Sequence, residues 1–223
     1  MRTLFMTTAL AGLIALSGCN QTGGNDANGA APGAQKSEAA AATKRFVNSP
    51  DNNFSAAMKE KYVDFAFDYP ADWQEKIDPS ESNFVQVMAP PVKEISPFVF
   101  AVGNAAASGP PEQRRQMLQS LLPQFEQQFG ASFQDFDVKW RGERQVGRHE
   151  TLGIGFTGQV ATPDGPLNAA GRIDIIVPEG QDRGVTLISI ALSPDAAPAP
   201  DQIETLPAFR TIYDSLRIGA EAK

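Results

Sequence analysis

The stretch "YVDFAFDYP", residues 62–70, has the clearest strand pattern in this chain. Every second residue is apolar, and the four that share one face are Val63, Phe65, Phe67 and Tyr69. Such alternation predicts a half-buried β-strand. Pro70 has no N–H to donate to a neighbouring strand, so it ends the strand. We expect Trp73 to fold back over the sheet edge and to serve as a core residue.

Further apolar runs of strand length lie on both sides of one long segment with helical spacing. The apolar positions of that segment are Leu118, Leu122, Phe125 and Phe129. Pro111 suits its first turn, and Pro123 should kink or split it. "TPDGP", residues 162–166, predicts a hairpin turn between two alternating runs, and residues 206–216 predict a closing amphipathic helix. This order predicts an α+β fold with a largely antiparallel sheet.

Two short motifs resemble the PsbP-like superfamily, whose namesake is the extrinsic protein of photosystem II. One is "FAFDYPADWQ" (Phe65–Gln74), and the other is the closing "FRTIYDSLRI" (Phe209–Ile218), in which Leu216 stands where the family has Phe. The superfamily includes many small bacterial lipoproteins. The resemblance implies an antiparallel sheet flanked by helices on both faces, an α/β/α sandwich. It also implies an accessory or binding protein with no cofactor and no shared catalytic residues.

The N-terminus has the pattern of an exported lipoprotein. Its apolar run, Leu4 to Leu16, is shorter than the roughly twenty residues that cross a bilayer but has the length of a signal peptide. The run ends in "LSGC", which resembles the bacterial lipobox. We therefore predict a signal peptide over residues 1–18 and a diacylglycerol and palmitate anchor on Cys19, the only cysteine. By the same resemblance, Asn20 after the cysteine favours the outer membrane, facing the periplasm.

The segment after Cys19 has the composition of a flexible tether. It is rich in Gly, Ala and Asn, so it cannot bury enough apolar surface to offset the entropy of ordering. We predict that the lipidated cysteine and its tether occupy residues 19–52. The globular domain is then predicted over residues 53–223.

The composition narrows the function further. A formal net charge of −7 does not favour binding to nucleic acid. One cysteine allows neither an intramolecular disulfide nor a thiolate zinc site. His149 is the only histidine, so a transition-metal site is not expected either.

Two segments match catalytic patterns only in part. "GIGFTG", residues 153–158, has the glycine spacing of a dinucleotide-binding turn, but it continues as a strand and no helix opens after it. We therefore interpret it as a strand whose glycines allow close packing. His149 would need a serine on a G-x-S-x-G turn to act in a hydrolase, and no such turn occurs. The favoured interpretation of His149 is a solvated turn.

A local excess of positive charge marks the candidate binding site. The surface predicted to meet an anionic group or an acidic partner consists of Lys139, Trp140, Arg141, Arg144 and Arg148. The competing interpretation is a charged hairpin surface, because Glu143 and Glu150 lie among these cations.

Together these patterns predict a membrane-anchored lipoprotein of the bacterial cell envelope, a non-catalytic binding or accessory protein with a protein partner in the envelope. Two alternatives stay open. One is a carrier of small apolar ligands with a pocket between helix and sheet, and the other is a hydrolase that uses His149.

Overall fold

The computed structural model describes residues 42–52, 54–78 and 83–222. Ten strands, three α-helices and two 3-10 helices follow one another in this part of the chain. In order they are β1 (Thr43–Val47), α1 (Ala56–Lys59), β2 (Phe65–Pro70), β3 (Gln74–Lys76), β4 (Asn83–Met88), β5 (Phe98–Ala106), α2 (Pro111–Gly130), β6 (Gln134–Val146), β7 (His149–Val160), β8 (Leu167–Ile176), β9 (Arg183–Ser193), the 3-10 helix η1 (Pro200–Thr205), α3 (Pro207–Ser215), β10 (Arg217–Ile218) and the 3-10 helix η2 (Gly219–Ala222).

The strands form two antiparallel sheets. The small sheet has the order β1-β2-β10, and the large sheet has the order β3-β4-β5-β9-β8-β7-β6. The predicted hairpin joins β7 to β8, where Gly165 N donates to Thr162 O at 3.1 Å and Gly165 has a φ of +116°. The expected α+β class with antiparallel sheets is confirmed.

Each face of the large sheet has its own core. We call one the α2 face, because Ile154, Phe156 and Ile173 pack there against Leu122 and Phe129 of α2. The opposite α3 face packs against α3 and the small sheet. Phe100 of β5 meets Phe67 of β2 at 5.3 Å and Tyr213 of α3 at 6.1 Å, centroid to centroid. Helices therefore cover both faces, as the PsbP-like resemblance implied.

The helix with proline in its interior is continuous. α2 runs from Pro111 to Gly130 through Pro123, so the chain is not split there. Leu122 and Phe129 are buried, and Leu118 and Phe125 pack against the same core, which confirms the predicted apolar face.

Trp73 is a core residue, as predicted. Only 4% of its surface is exposed. Its ring stacks on Phe98 at 6.3 Å and meets the edge of Phe209, from α3, at 5.9 Å. Trp73 thus joins the turn after β2 to the large sheet and to the closing helix.

The domain begins earlier than the sequence predicted. The predicted tether includes residues 43–52, but Thr43–Val47 form β1, which pairs with β2 from Thr43 opposite Pro70 to Val47 opposite Ala66. Phe46 is buried, and its ring lies 5.6 Å from Phe65 and 5.5 Å from Phe67. The tether boundary is therefore wrong, because the ring contacts of Phe46 with Phe65 and Phe67 order a strand whose other side chains are exposed.

Among the helices that the structure describes, none combines the length and the hydrophobicity needed to cross a membrane.

Candidate functional site

The predicted basic residues lie on β6 and its turn, at one edge of the large sheet. β6 has 13 residues and pairs with β7 on one side, while no described strand pairs with its other side. Register places Trp140 opposite Gly155 and Arg144 opposite Thr151, on the α3 face. Arg141 lies opposite Ile154, so it belongs to the α2 face. The five residues therefore do not form one surface, and partner binding through them stays a prediction.

Most of the basic side chains have carboxylate neighbours. Lys139 Nζ lies 2.5 Å from Asp137, Arg141 lies 2.9 Å from Glu126 of α2, and Arg148 lies 3.3 Å from Glu221 of η2. These pairs are largely exposed, so each stabilises the fold by about 1 kcal/mol or less. The local charge is mixed, which agrees with a charged hairpin surface more than with a purely basic one.

Trp140 and Arg144 form a stack on the α3 face. Arg144 Cζ lies 3.9 Å from the centroid of the Trp140 ring, within the range of a cation–π interaction. The indole lies directly on Gly155, where an added Cβ would be only 2.1 Å from Trp140 Nε1. This contact explains the middle glycine of "GIGFTG" as a packing requirement. The segment lies within β7, so the interpretation as a strand is confirmed.

A largely buried ionic network lies beside this stack, and none of its residues is among the predicted site residues. Arg172 and Asp174 of β8 are both 0% exposed. Arg172 Nε donates to Asp174 Oδ2 at 2.6 Å and Arg172 Nη2 donates to Asp174 Oδ1 at 3.0 Å. Arg172 Nη1 also binds Glu204 of η1. The sequence signal was present: two opposite charges two residues apart, on one face of the otherwise apolar "GRIDII".

Hydroxyl groups complete the network around Asp174. Tyr213 OH lies 2.7 Å from Ser189 Oγ and 3.5 Å from Asp174 Oδ2, and Thr151 Oγ1 donates to Asp174 Oδ1 at 3.3 Å. Burial raises the pKa of Tyr213, and Asp174 raises it further. Burial also raises the pKa of Asp174, while the Arg172 guanidinium opposes that rise. Arg172, Asp174 and Tyr213 are paired and closed to solvent, while Glu204 at the rim is 35% exposed, so the network has the character of a structural element.

His149 begins β7, next to the turn that joins it to β6. Its Nε2 atom is buried and has no hydrogen-bond partner within the described residues. Burial lowers the pKa of His149; Glu221 opposes this shift, and Arg148 and Arg217 add to it. A hydrolase would also need an accessible serine. Ser189 is fully buried and hydrogen-bonded to Tyr213, so a substrate could not reach this serine. The predicted solvated turn is partly wrong, because His149 is half-buried at a strand end.

The space between α3 and the large sheet, where a carrier would hold its ligand, is filled by side chains. Phe98, Phe100, Phe209 and Tyr213 pack there ring against ring. An open cleft of about 340 Å³ lies elsewhere, between the segment before β2 and the β8–β9 turn. Polar residues dominate its lining: Tyr62, Val63, Asp64, Gln181, Asp182, Arg183 and Gly219. Burial and the nearby Asp64 raise the pKa of Tyr62 to about 12. Neither place offers an apolar pocket.

Cys19, the predicted lipidation site, lies outside the described residues. Within those residues, no three His, Cys, Asp or Glu side chains come together as metal ligands would.

Comparison with known proteins finds similarity at the level of structure. No family model and no curated protein matches the chain. The structure is similar to LpqN of Mycobacterium tuberculosis, described as involved in cell envelope biogenesis, with 15% identity, 79% of this chain and 91% of LpqN covered, and a TM-score of 0.47. It is also similar to the cyanobacterial PsbP of Synechocystis, with 10% identity, 83% and 98% covered, and a TM-score of 0.47. A Bacteroides thetaiotaomicron protein matches at 12% identity over 71% of this chain and 46% of its own, with a TM-score of 0.40.

Proposed function

We propose that this chain is a lipid-anchored protein of the bacterial cell envelope that acts by binding another protein and not by catalysis. The observation that carries the proposal is the open edge of β6. This long strand ends the large sheet, and the structure describes no strand beyond it. An unpaired strand edge offers backbone donors and acceptors to an extended segment of a partner.

The distribution of ionisable groups supports binding over chemistry. Arg172, Asp174 and Tyr213 are buried and bonded to one another, which leaves them no access to a substrate. The exposed charges instead follow β6, where Arg141 and Glu143 are about 60% exposed, at 59% and 62%. A surface with both signs of charge can specify the register of a partner.

The membrane anchor rests on "LSGC" at the end of the apolar N-terminal run. We expect the Cys19→Ser variant to stay unprocessed or to leave the membrane fraction, because the lipid is attached through the cysteine sulfur. Fractionation of cells that express the variant or the unchanged protein measures this. A Cys19→Ser protein that is cleaved at the same place and still partitions with membranes would contradict the anchor.

Site-specific photocrosslinking in intact envelopes tests the binding edge. A photoreactive residue at Gln145, which is exposed on β6, should give one discrete adduct, whereas the same residue at Asp214, exposed on α3, should give none. The proposal fails if exposed β6 positions give no adduct while the protein is present and folded in the envelope.

A further inference from the structure

Only the C-terminal half of β6 is regular enough to accept another strand. The β6–β7 register shifts between Gln134 and Asp137 and again between Val138 and Trp140. Such bulges twist a strand away from pairing, and the charges around them discourage it further. From Trp140 to Val146 the register is unbroken. A partner strand would therefore pair with residues 140–146.

The turn after β6 determines which backbone groups face outward. Val146 pairs with His149 across the two-residue turn Gly147–Arg148. In such a hairpin the closing pair is hydrogen-bonded, and alternate residues of β6 then direct their backbone groups toward β7. Arg144 obeys this alternation, because its carbonyl oxygen lies 3.3 Å from Thr151 Oγ1 of β7. The backbone groups of residues 141, 143 and 145 therefore point away from the sheet.

We propose that the partner of this edge is a second copy of the chain, paired antiparallel to the first with Gly142 on the two-fold axis. This inference rests on the proposed function in one respect, that β6 is a binding edge. In the proposed register Arg141 of each copy lies opposite Glu143 of the other. Opposite charges directly across two strands stabilise the pair, and like charges destabilise it.

Charge repulsion and hydrogen bonding exclude the neighbouring registers. A shift by two residues in one direction would place Arg141 opposite Arg141 at the axis. A shift in the other direction would place Glu143 opposite Glu143. A shift by one residue would bring outward backbone groups against inward ones, so the hydrogen bonds could not form. The order Arg141-Gly142-Glu143 is thus self-complementary in a single antiparallel register.

The face of the sheet on which each charged side chain lies is compatible with this register. Arg141 and Glu143 both lie on the α2 face, opposite Ile154 and Leu152 of β7. A two-fold axis perpendicular to the sheet keeps each face continuous, so the charged pairs would meet on that same side. Trp140 would lie opposite Arg144 of the second copy, the same kind of pair that stacks within one copy.

Gly142 suits a place on the axis. It has a φ of +140°, which glycine adopts readily and other residues do not. Apart from Gly142 and its two chain neighbours, no described atom lies within 4 Å of the position that a Cβ would take, so crowding within the described part of the chain does not explain the glycine. In a pair without direct hydrogen bonds the two Cα atoms approach to about 4.5 Å. A strand glycine often marks such a close approach of another backbone.

Two charges of α2 extend the interaction. Glu126 lies 2.9 Å from Arg141, and Arg115 lies 3.0 Å from Glu143. Pairing would therefore place Glu126 and Arg141 of one copy in a row with Glu143 and Arg115 of the other, with alternating charges. The two-fold axis would generate a second such row. The contact is small, so it depends on concentration, and molecules anchored to one membrane face meet at a raised effective concentration.

Charge exchange between two tagged copies tests the register. The full-length protein is produced in one cell with two different tags, solubilised in detergent and purified through one tag, and the recovery of the other tag is measured. Arg141→Glu and Glu143→Arg should each lower self-recovery roughly tenfold, because both symmetry-related pairs change from attraction to repulsion. Arg141→Glu combined with Glu143→Arg in the other copy should recover the unchanged level. The double variant should also pair with itself.

The matched control is Arg45→Glu on the small sheet, with the same charge change and a similar exposure, 52% against 59%. It should leave recovery unchanged, and melting temperatures should show that all variants fold. Equal recovery for the single variants and the unchanged protein would overturn the inference, as would failure of the mixed pair to recover. If Gln145 adducts contain a different protein and no second copy, the inference fails while the proposed function stands. If there are no adducts at β6 at all, both fail.

Discussion

Replacing Arg172 by Met should destabilise the domain strongly, because it leaves a buried carboxylate without its cation. Asp174 would lose donors at 2.6 and 3.0 Å and keep only the hydroxyls of Thr151, at 3.3 Å, and Tyr213, at 3.5 Å. Breaking a buried ion pair in this way costs about 3–5 kcal/mol. For a domain of this size, 1 kcal/mol corresponds to about 2–4 °C in melting temperature. We therefore expect a fall of roughly 6–20 °C.

Thermal unfolding followed by circular dichroism at pH 7 measures this change. Glu204→Gln is the first control, since its side chain is 35% exposed and only one of the contacts of Arg172 is weakened. The double variant Arg172→Met with Asp174→Leu is the second, because replacing both members of a buried pair by apolar residues is often nearly neutral. It should recover most of the loss. A single variant no less stable than Glu204→Gln, or a double variant as unstable as the single one, would refute the reasoning.

The pH dependence of the Arg172→Met variant provides an independent check. Burial raises the pKa of Asp174, and in the variant no guanidinium opposes that rise. A carboxyl whose pKa is higher in the folded state than in the unfolded state, where it is about 3.9, loses stability as the pH rises above that value. The difference in melting temperature between the variant and the unchanged protein should therefore be smaller at pH 4 than at pH 7.

Three further predictions concern Trp73, Phe46 and His149. Trp73→Ala should lower the unfolding free energy by about 3–5 kcal/mol in denaturant titrations, since the ring packs on Phe98 and Phe209, and Trp73→Phe should lower it less. Phe46→Ala should also lower the unfolding free energy of the whole domain, by about 3 kcal/mol or more. An unchanged denaturation midpoint would show that β1 belongs to the tether and not to the folded domain. Because burial lowers the pKa of His149, the folded state binds its proton less readily than the unfolded state, so stability should fall as the pH drops below about 6.5. His149→Gln should reduce that slope between pH 7.5 and 5.5, and an equal slope in both proteins would refute this assignment.

The candidate binding site could be predicted in position but not in arrangement. The basic residues from Lys139 to Arg148 are visible in the sequence, and they lie along β6 and the turn that follows it. Two bulges in β6 change which residues share a face, and they arise from pairing with β7. The carboxylate neighbours Glu126 and Glu221 come from α2 and η2, which are distant in sequence. The cluster of cations in the sequence therefore predicts a more positive surface than the structure has.

The buried network shows the same limit. Alternation correctly predicted that β8 is a strand, but composition would assign Arg172 and Asp174 to solvent, because charged residues are almost never fully buried unless paired. Their burial depends on Tyr213 and Glu204, which arrive from a later part of the chain. β1 was missed for a related reason, since Phe46 is its only buried residue and its partners lie on β2.

Local patterns in the sequence predict most of the longer strands and helices, the antiparallel α+β class, the apolar faces of α2 and α3 and the burial of Trp73. These follow from period-2 and period-3.6 hydrophobicity and from proline and glycine, which act within a few residues of one another. Three features are visible only in the tertiary structure: where the domain starts, which cations have carboxylate neighbours, and the presence of an ion pair in the core. Those features depend on contacts between residues far apart in sequence, and local periodicity contains no information about which distant strands and helices will meet.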